Sequence, residues 1–378
     1  LSFVQNAGSA TGVSIASVTK TTGAATTGGE TTLRFNLTIT GTPNGAETIS
    51  IAPLNGTSVY NVVPTAAPAT TSTGLVNLLN LTPPVITGVT SSTGDGTYKL
   101  GSIISIEVTF NATVTVTGTP SLTLETGSVD QAINYASGSG SSTLVFSYTV
   151  QAGDLSGDLN YKATNALTGT IKSAATVAAD LTLPGLAAAG SLATNQNMIV
   201  DGVVPTIASK AIGALNAFVD ITFDSPVYSV NNGTGGLDAN DFSLAFLANG
   251  GTATGVTITS VTKTTGFAVA GGETTLRLNL SVTGVLAGTE TISIVPVVNS
   301  IFDVNGNPAP ISTSTGSVSL VSIAGPTIVS VTSSKANGSY KEGDVIAIQV
   351  IFSAIVNVTG VPILTLETGV TDQSVNYS

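Results

Sequence analysis

The chain repeats itself over a long interval, and no other feature restricts its fold as much. Thr11–Lys20 (TGVSIASVTK) returns as Thr254–Lys263 (TGVTITSVTK), and Gly28–Arg34 (GGETTLR) returns unchanged as Gly271–Arg277, both 243 positions later. Val89–Ser92 returns as Val331–Ser334 and Leu122–Gly127 (LTLETG) as Leu364–Gly369, both 242 positions later. The one-residue difference places an insertion of the first copy between Pro53 and Thr71, in a segment with Pro64 and Pro68 where a surface loop absorbs a length change. Each period divides into two dissimilar halves of ~121 residues, a size that suits one domain apiece. The expected organisation is the C-terminal part of a type A domain at 1–82, a whole type B at 83–203, a whole type A at 204–324 and the N-terminal part of a type B at 325–378. Leu1–Phe3 aligns with Leu244–Phe246 and Tyr377 with Tyr135, so the reading is of a window cut from a longer chain.

Local patterning indicates strands. Leu33, Phe35, Leu37 and Ile39 alternate with Arg34, Asn36, Thr38 and Thr40, and Leu276–Thr283 repeats the alternation. Ile104, Ile106, Val108 and Phe110 do the same in type B, followed by Val114/Val116, Leu122/Leu124 and Leu144/Phe146/Tyr148, with Gly, Asn or Pro clusters expected to separate the runs. No stretch keeps a 3.6-residue period, and Ala174–Ala179, the best helical candidate, is short enough to read as irregular or one turn. About seven short strands per ~121 residues is the pattern of an immunoglobulin-like sandwich. The expected fold class is therefore all-β: tandem immunoglobulin-like β-sandwiches of two alternating types, end to end. The type A remnant lacks a counterpart of Val204–Ser243, including the Phe218–Phe223 strand, and should expose an unpaired apolar edge.

Composition removes whole classes of chemistry. Of the 378 residues none is Cys, His or Trp, so thiol nucleophiles, disulfides, imidazole bases and Cys/His zinc sites are excluded. Only 8% of residues are charged, against roughly 25% in an ordinary soluble protein. The net charge of −11 repels phosphate backbones, which argues against nucleic acid as a partner. No apolar run approaches the ~18 residues of a membrane span, so no membrane insertion is expected in this segment.

Several type B segments together resemble a repeat of giant bacterial surface adhesins: Gly96–Gly101 (GTYKLG), Phe110, Val114–Glu125 (VTVTGTPSLTLE), Tyr135–Gly140 and Phe146–Asp154 (FSYTVQAGD). Asn197–Pro205 (NMIVDGVVP) resembles that family's domain linker, and type A, with Val219–Phe223, Asp241–Phe242 and Phe302–Asn307, resembles a second bacterial immunoglobulin-like module. Alternation of two modules in a near-perfect long repeat is most similar to Bacteroidota giant adhesins, including gliding adhesins of the SprB type. The resemblance implies a stalk or spacer region of an extracellular cell-surface filament serving adhesion and gliding motility. Its implied partners are neighbouring repeats of the same long chain and the surface, secretion or motility machinery. Lys172–Ala178 departs from the family pattern, which has an Asp-x-x-Gly-Asn segment there. The alternative is a ligand-binding sandwich that recognises glycan or protein through loops such as Thr42–Gly45 and Val285–Gly288, which differ between copies.

Two acidic sets are candidates for calcium at domain junctions. Asp303, Asn305 and Asn307 present oxygens at alternate positions around Gly306, a spacing suited to a hard cation; the competing reading is an Asn-Gly turn bonded to local backbone. Its counterpart Ser58–Val63 loses the pattern, which favours the turn. Asp154 and Asp158 could meet Asp201, or could simply flank a solvated turn. Glu107 and Ser102 become Gln349 and Asp344 in the second copy, so neither is a required ligand. Glu125/Glu367 and Asp130/Asp372 recur, but two carboxylates hydrolyse glycosides only across a cleft, and with 5% aromatics there is little surface for stacking sugars. Lys20/Lys263, Arg34/Arg277 and Glu30/Glu273 recur as expected cross-strand ion pairs. No catalytic, cofactor-binding or metal-ligating residue is assigned, and no enzymatic activity is expected.

Overall fold

The computed structural model describes residues 1–378 and is nearly all β, with 44% of residues in strands and 3% in helices. No helix is long and apolar enough to cross a membrane. The chain forms two compact units, one of residues 1–204 with 305–307 and one of residues 205–304 with 308–378.

The first unit holds one large core between two sheets. Ile103–Glu125 is a single strand of 23 residues that serves as the spine of a six-stranded sheet. It pairs with Ile86–Ser91 and Ser141–Thr149 along its first arm, and with Gln131–Ser137, Asn160–Tyr161 and Leu167–Ser173 along its second. The turn-forming residues Asn111, Gly118 and Pro120 were expected to break this stretch into separate strands, and they do not. Pro120 lacks a ladder donor, and the pairing shifts register opposite it, between Thr168 and Thr170. Gly169 occupies the shift at φ 128, where a Cβ would stand 2.7 Å from the Pro120 backbone, so the bulge needs glycine and the strand continues past the proline. The second sheet joins Leu155–Ser156, Met198–Asp201 and Gly96–Lys99, the last two in parallel. Alternate residues Ile104, Ile106, Val108 and Phe110 of the spine meet Leu144, Phe146 and Tyr148, with Met198 and Val200 closing the core from the other sheet. Ala174–Ala179 is a turn and bridge after Leu167–Ser173, while a four-residue helix appears instead at Leu192–Asn195.

Residues 1–82 of this unit form two small sheets. Gly12–Thr19 pairs with Arg34–Thr40, and Ser2–Val4, Thr48–Ser50 and Val76–Asn77 form the other. Arg34–Thr40 has no second neighbour, so its outer edge is unpaired.

In the second unit, a sheet ordered Ile207–Ile212, Phe218–Val227, Glu273–Thr283 and Gly255–Thr262 faces one ordered Phe242–Leu247, Thr291–Pro296 and Val318–Ser319. Val219, Ile221, Leu276 and Leu278 from the first meet Ile292, Ile294 and Val318 from the second in one buried cluster. Residues 325–378 add two separate hairpins, Ile328–Ser333 with Ile348–Phe352 and Ile363–Leu366 with Gln373–Asn376.

Candidate functional site

The acidic residues singled out in the sequence meet different fates. Asp154 is buried and its carboxylate points inward: Oδ2 accepts from the Tyr148 hydroxyl at 2.6 Å and from the Gln151 N–H at 2.8 Å, and Oδ1 accepts from Gln131 Nε2 at 2.8 Å. Burial, and then the adjacent Asp154 carboxylate, push the Tyr148 phenol well above its ordinary value, so it remains a donor at any physiological pH. The short ladder between Leu155–Ser156 and Met198–Asp201 brings the Asp154 backbone beside Gly202, whose N–H donates to the Asp154 carbonyl at 2.7 Å. Asp158 remains exposed on the following turn. The three carboxylates therefore do not converge.

Asp201 instead meets residues of the other candidate set. Within the first unit, Asn305 Nδ2 donates to Asp201 Oδ2 at 2.6 Å and Asn307 Nδ2 donates to the Asp201 carbonyl at 3.0 Å. The Val203 N–H donates to Asp201 Oδ1 at 3.0 Å, the Leu100 N–H to Asn307 Oδ1 at 2.8 Å, and Lys99 Nζ to the Gly306 carbonyl at 3.1 Å. These oxygens face N–H donors, one of them an ammonium, and that donor set satisfies acceptors rather than presenting free lone pairs to a hard cation. Nowhere do three or more Asp or Glu side chains gather as a group that could hold an ion. Asp303 is itself buried and engaged. The Asp303–Asn307 segment contains a turn, with Gly306 at φ 86, and its Asn305 and Asn307 side chains bond to Asp201 and Leu100, far from it in sequence.

The recurring acids of the type B turn lie at the surface. Asp130 pairs with Lys162, and this contact raises the lysine's pKa. Glu125 is exposed beside it, and Glu367 accepts the Gly369 N–H at 3.0 Å, closing its own turn. The lysine pairs form in both copies, Lys20 with Glu30 at 3.4 Å and Lys263 with Glu273 at 2.9 Å. Arg277 belongs to neither pair. It binds Asp220 through two parallel bonds of 2.8 and 2.9 Å and lies 3.5 Å over the Phe218 ring, whereas Arg34 is exposed.

The most organised polar groups were missed by sequence reasoning. Glu47 and Glu290 are fully buried, each at the head of a core strand. Glu290 accepts backbone N–H bonds from Ala287, Gly288, Thr289 and Ala253, and Glu47 accepts them from Ala10, Asn44 and Gly45. The Ala287 N–H, followed by its neighbours, holds Glu290 at about 2, against an ordinary 4.5. Burial alone would raise Glu47, but the same kind of donors outweigh it and lower its pKa. Gly251 and Gly8 make room, since a Cβ at either would stand within 2.1 Å of the carboxylate. The signal was available: Glu-Thr-Ile-Ser-Ile recurs at 47–51 and 290–294, an acid fused to an apolar strand in both copies. Each carboxylate ties the loop that precedes its own strand to a second loop 37 residues earlier, which is structural chemistry.

No protein-family model matches the chain, and no curated protein matches it.

Proposed function

We propose that this chain is a repeat region of a long extracellular bacterial surface filament, acting as a stalk or spacer in adhesion and gliding. The observation that carries the reading is one β scaffold written twice, down to the buried glutamate that gathers its loops. A spacer requires many self-sufficient units of one length, and a repeated β scaffold with its own core meets that requirement. The residue chemistry fits a mechanical role: the buried carboxylates Asp154, Glu47 and Glu290 are all consumed in holding turns and loops. Ladder-rich sheets without cysteine or histidine suit an exposed structural element that performs no reaction. The resemblance of the type B segments to adhesin repeats supplies the biological setting. Antibodies raised against the chain should decorate filaments projecting from intact cells at repeated positions. Labelling confined to permeabilised cells would overturn the reading.

A further inference from the structure

Asparagine followed by glycine is a reactive pair, because glycine has no side chain to keep its backbone nitrogen away from the asparagine Cγ. Residues 1–324 contain five such pairs, at Asn44, Asn55, Asn232, Asn249 and Asn305, and the fold treats them unequally. The Gly45 N–H donates to the buried Glu47 carboxylate at 3.1 Å, so the nitrogen that would attack Asn44 is held elsewhere. Asn249 Nδ2 donates to the Thr289 carbonyl at 3.2 Å and to Thr291 Oγ1 at 3.1 Å, and Asn305 Nδ2 to Asp201 Oδ2 at 2.6 Å. Those two side chains are anchored by the nitrogen that would have to leave. Asn232 and Asn55 carry neither restraint, and both are exposed. Asn232 lies at the tip closed by the Val230–Thr234 bridge in the complete type A sandwich. Its Oδ1 accepts from Thr234 Oγ1 at 2.5 Å, its Nδ2 has no partner, and the Gly233 N–H makes only a long bond of 3.3 Å to the Val230 carbonyl. At Asn55, Oδ1 accepts from the Thr57 N–H at 3.0 Å and from Thr57 Oγ1 at 2.9 Å, while Nδ2 and the Gly56 N–H have no partner. Only these two of the five pairs are followed by threonine.

We propose that Asn232 and Asn55 are self-modification sites, at which the folded chain converts asparagine to aspartate and isoaspartate. The nitrogen of Gly233 or Gly56 attacks the asparagine Cγ, forming a nitrogen–carbon bond and giving up its proton to solvent. The displaced electron pair goes first to Oδ1 and then expels Nδ2, which takes a proton from water and leaves as ammonia. Water adds to either carbonyl of the resulting cyclic imide and opens it to an aspartate or an isoaspartate. The threonine hydroxyl already donates to Oδ1, the atom on which negative charge develops during the attack. Each conversion adds one negative charge, and the isoaspartate product also inserts a carbon into the backbone. At Asn232 that insertion falls in a tip with no slack: a Cβ on Gly233 would already stand 2.8 Å from the Val304 carbonyl oxygen. The modified tip should therefore lose its Val230–Thr234 bridge. This inference does not rest on the spacer reading.

The test incubates the full chain in mildly alkaline buffer and follows each asparagine by peptide mass spectrometry, scoring the replacement of an amide by an acid and the isoaspartate it leaves. The expected result is conversion at Asn232 and Asn55 at least about tenfold faster than at Asn44, Asn249 and Asn305, since the restrained pairs lack a free nucleophile or a free leaving group. In urea, where the fold no longer discriminates, the five rates should converge. Thr234→Val, at an exposed position, should slow Asn232 severalfold and leave Asn55 unchanged, and Thr57→Val should do the reverse. Asn232→Gln should silence its own site alone. Equal rates at all five pairs in the folded chain, the same ranking in urea as in buffer, or threonine variants that fold and convert at the wild-type rate would each overturn the proposal.

Discussion

Arg34–Thr40 and Glu273–Thr283 come from the same repeated sequence, yet the first is a seven-residue strand with one neighbour and the second an eleven-residue strand with two. The second neighbour is Phe218–Val227, which has no counterpart beside Arg34–Thr40. Its presence decides burial: Leu276 is 0% exposed and Leu33, at the same place in the repeat, 39%. Type B gives the same contrast, with Val89 at 0% and Val331 at 53%. Strand length and core burial thus follow the neighbours more than the local sequence. The buried glutamates behave differently. Their donors come from loops present in both copies, so Glu47 and Glu290 are equally enclosed.

The largest expected effect separates the copies by core truncation. Leu276→Ala should cost about 2–5 kcal/mol in urea unfolding of its region, and Leu33→Ala under about half of that, because less contact and less cavity are at stake. Equal losses would break the comparison. Next, Glu290→Gln and Glu47→Gln should each lower the urea midpoint of their own region, since an amide nitrogen would then face backbone donors. A loss in one copy only would show that this enclosure also depends on the neighbouring strand.

Acid titration sharpens the same point. The folded-state value of Glu290, about 2, lies below its ordinary 4.5, so folding favours the charged form. That stabilisation is fully present above about pH 4.5 and is lost as pH falls through about 2. The urea midpoint should therefore drop across this window in the wild-type chain and drop less in Glu290→Gln. Smaller still, Arg277→Ala should lower the melting temperature measurably, through loss of Asp220 and the Phe218 ring, while Arg34→Ala should leave it unchanged. Smallest, Lys263→Ala and Lys20→Ala should have nearly equal and slight effects, since both pairs are solvent-facing hairpin contacts.

Alternation alone was sufficient to read the Ile104–Phe110 arm and its partner Leu144–Tyr148, because a period of two with one apolar face has one stable outcome when that face is buried. The repeat itself was equally legible, and it aligns hairpins that pair in the same register in both copies. The unbroken course of Ile103–Glu125 was not legible: Pro120 interrupts pairing unless a glycine such as Gly169 lets the partner bulge, and those residues are far apart in sequence. The Arg277–Asp220 pair was hidden for the same reason, as was the meeting of Asp201 with Asn305 and Asn307, about a hundred positions away. Residue types and spacing determined that this chain would form repeated antiparallel sheets without cysteine or histidine chemistry. Which carboxylate is buried, which edge is covered and which strand runs on were decided by tertiary structure, because each depends on donors and side chains that only folding brings within reach.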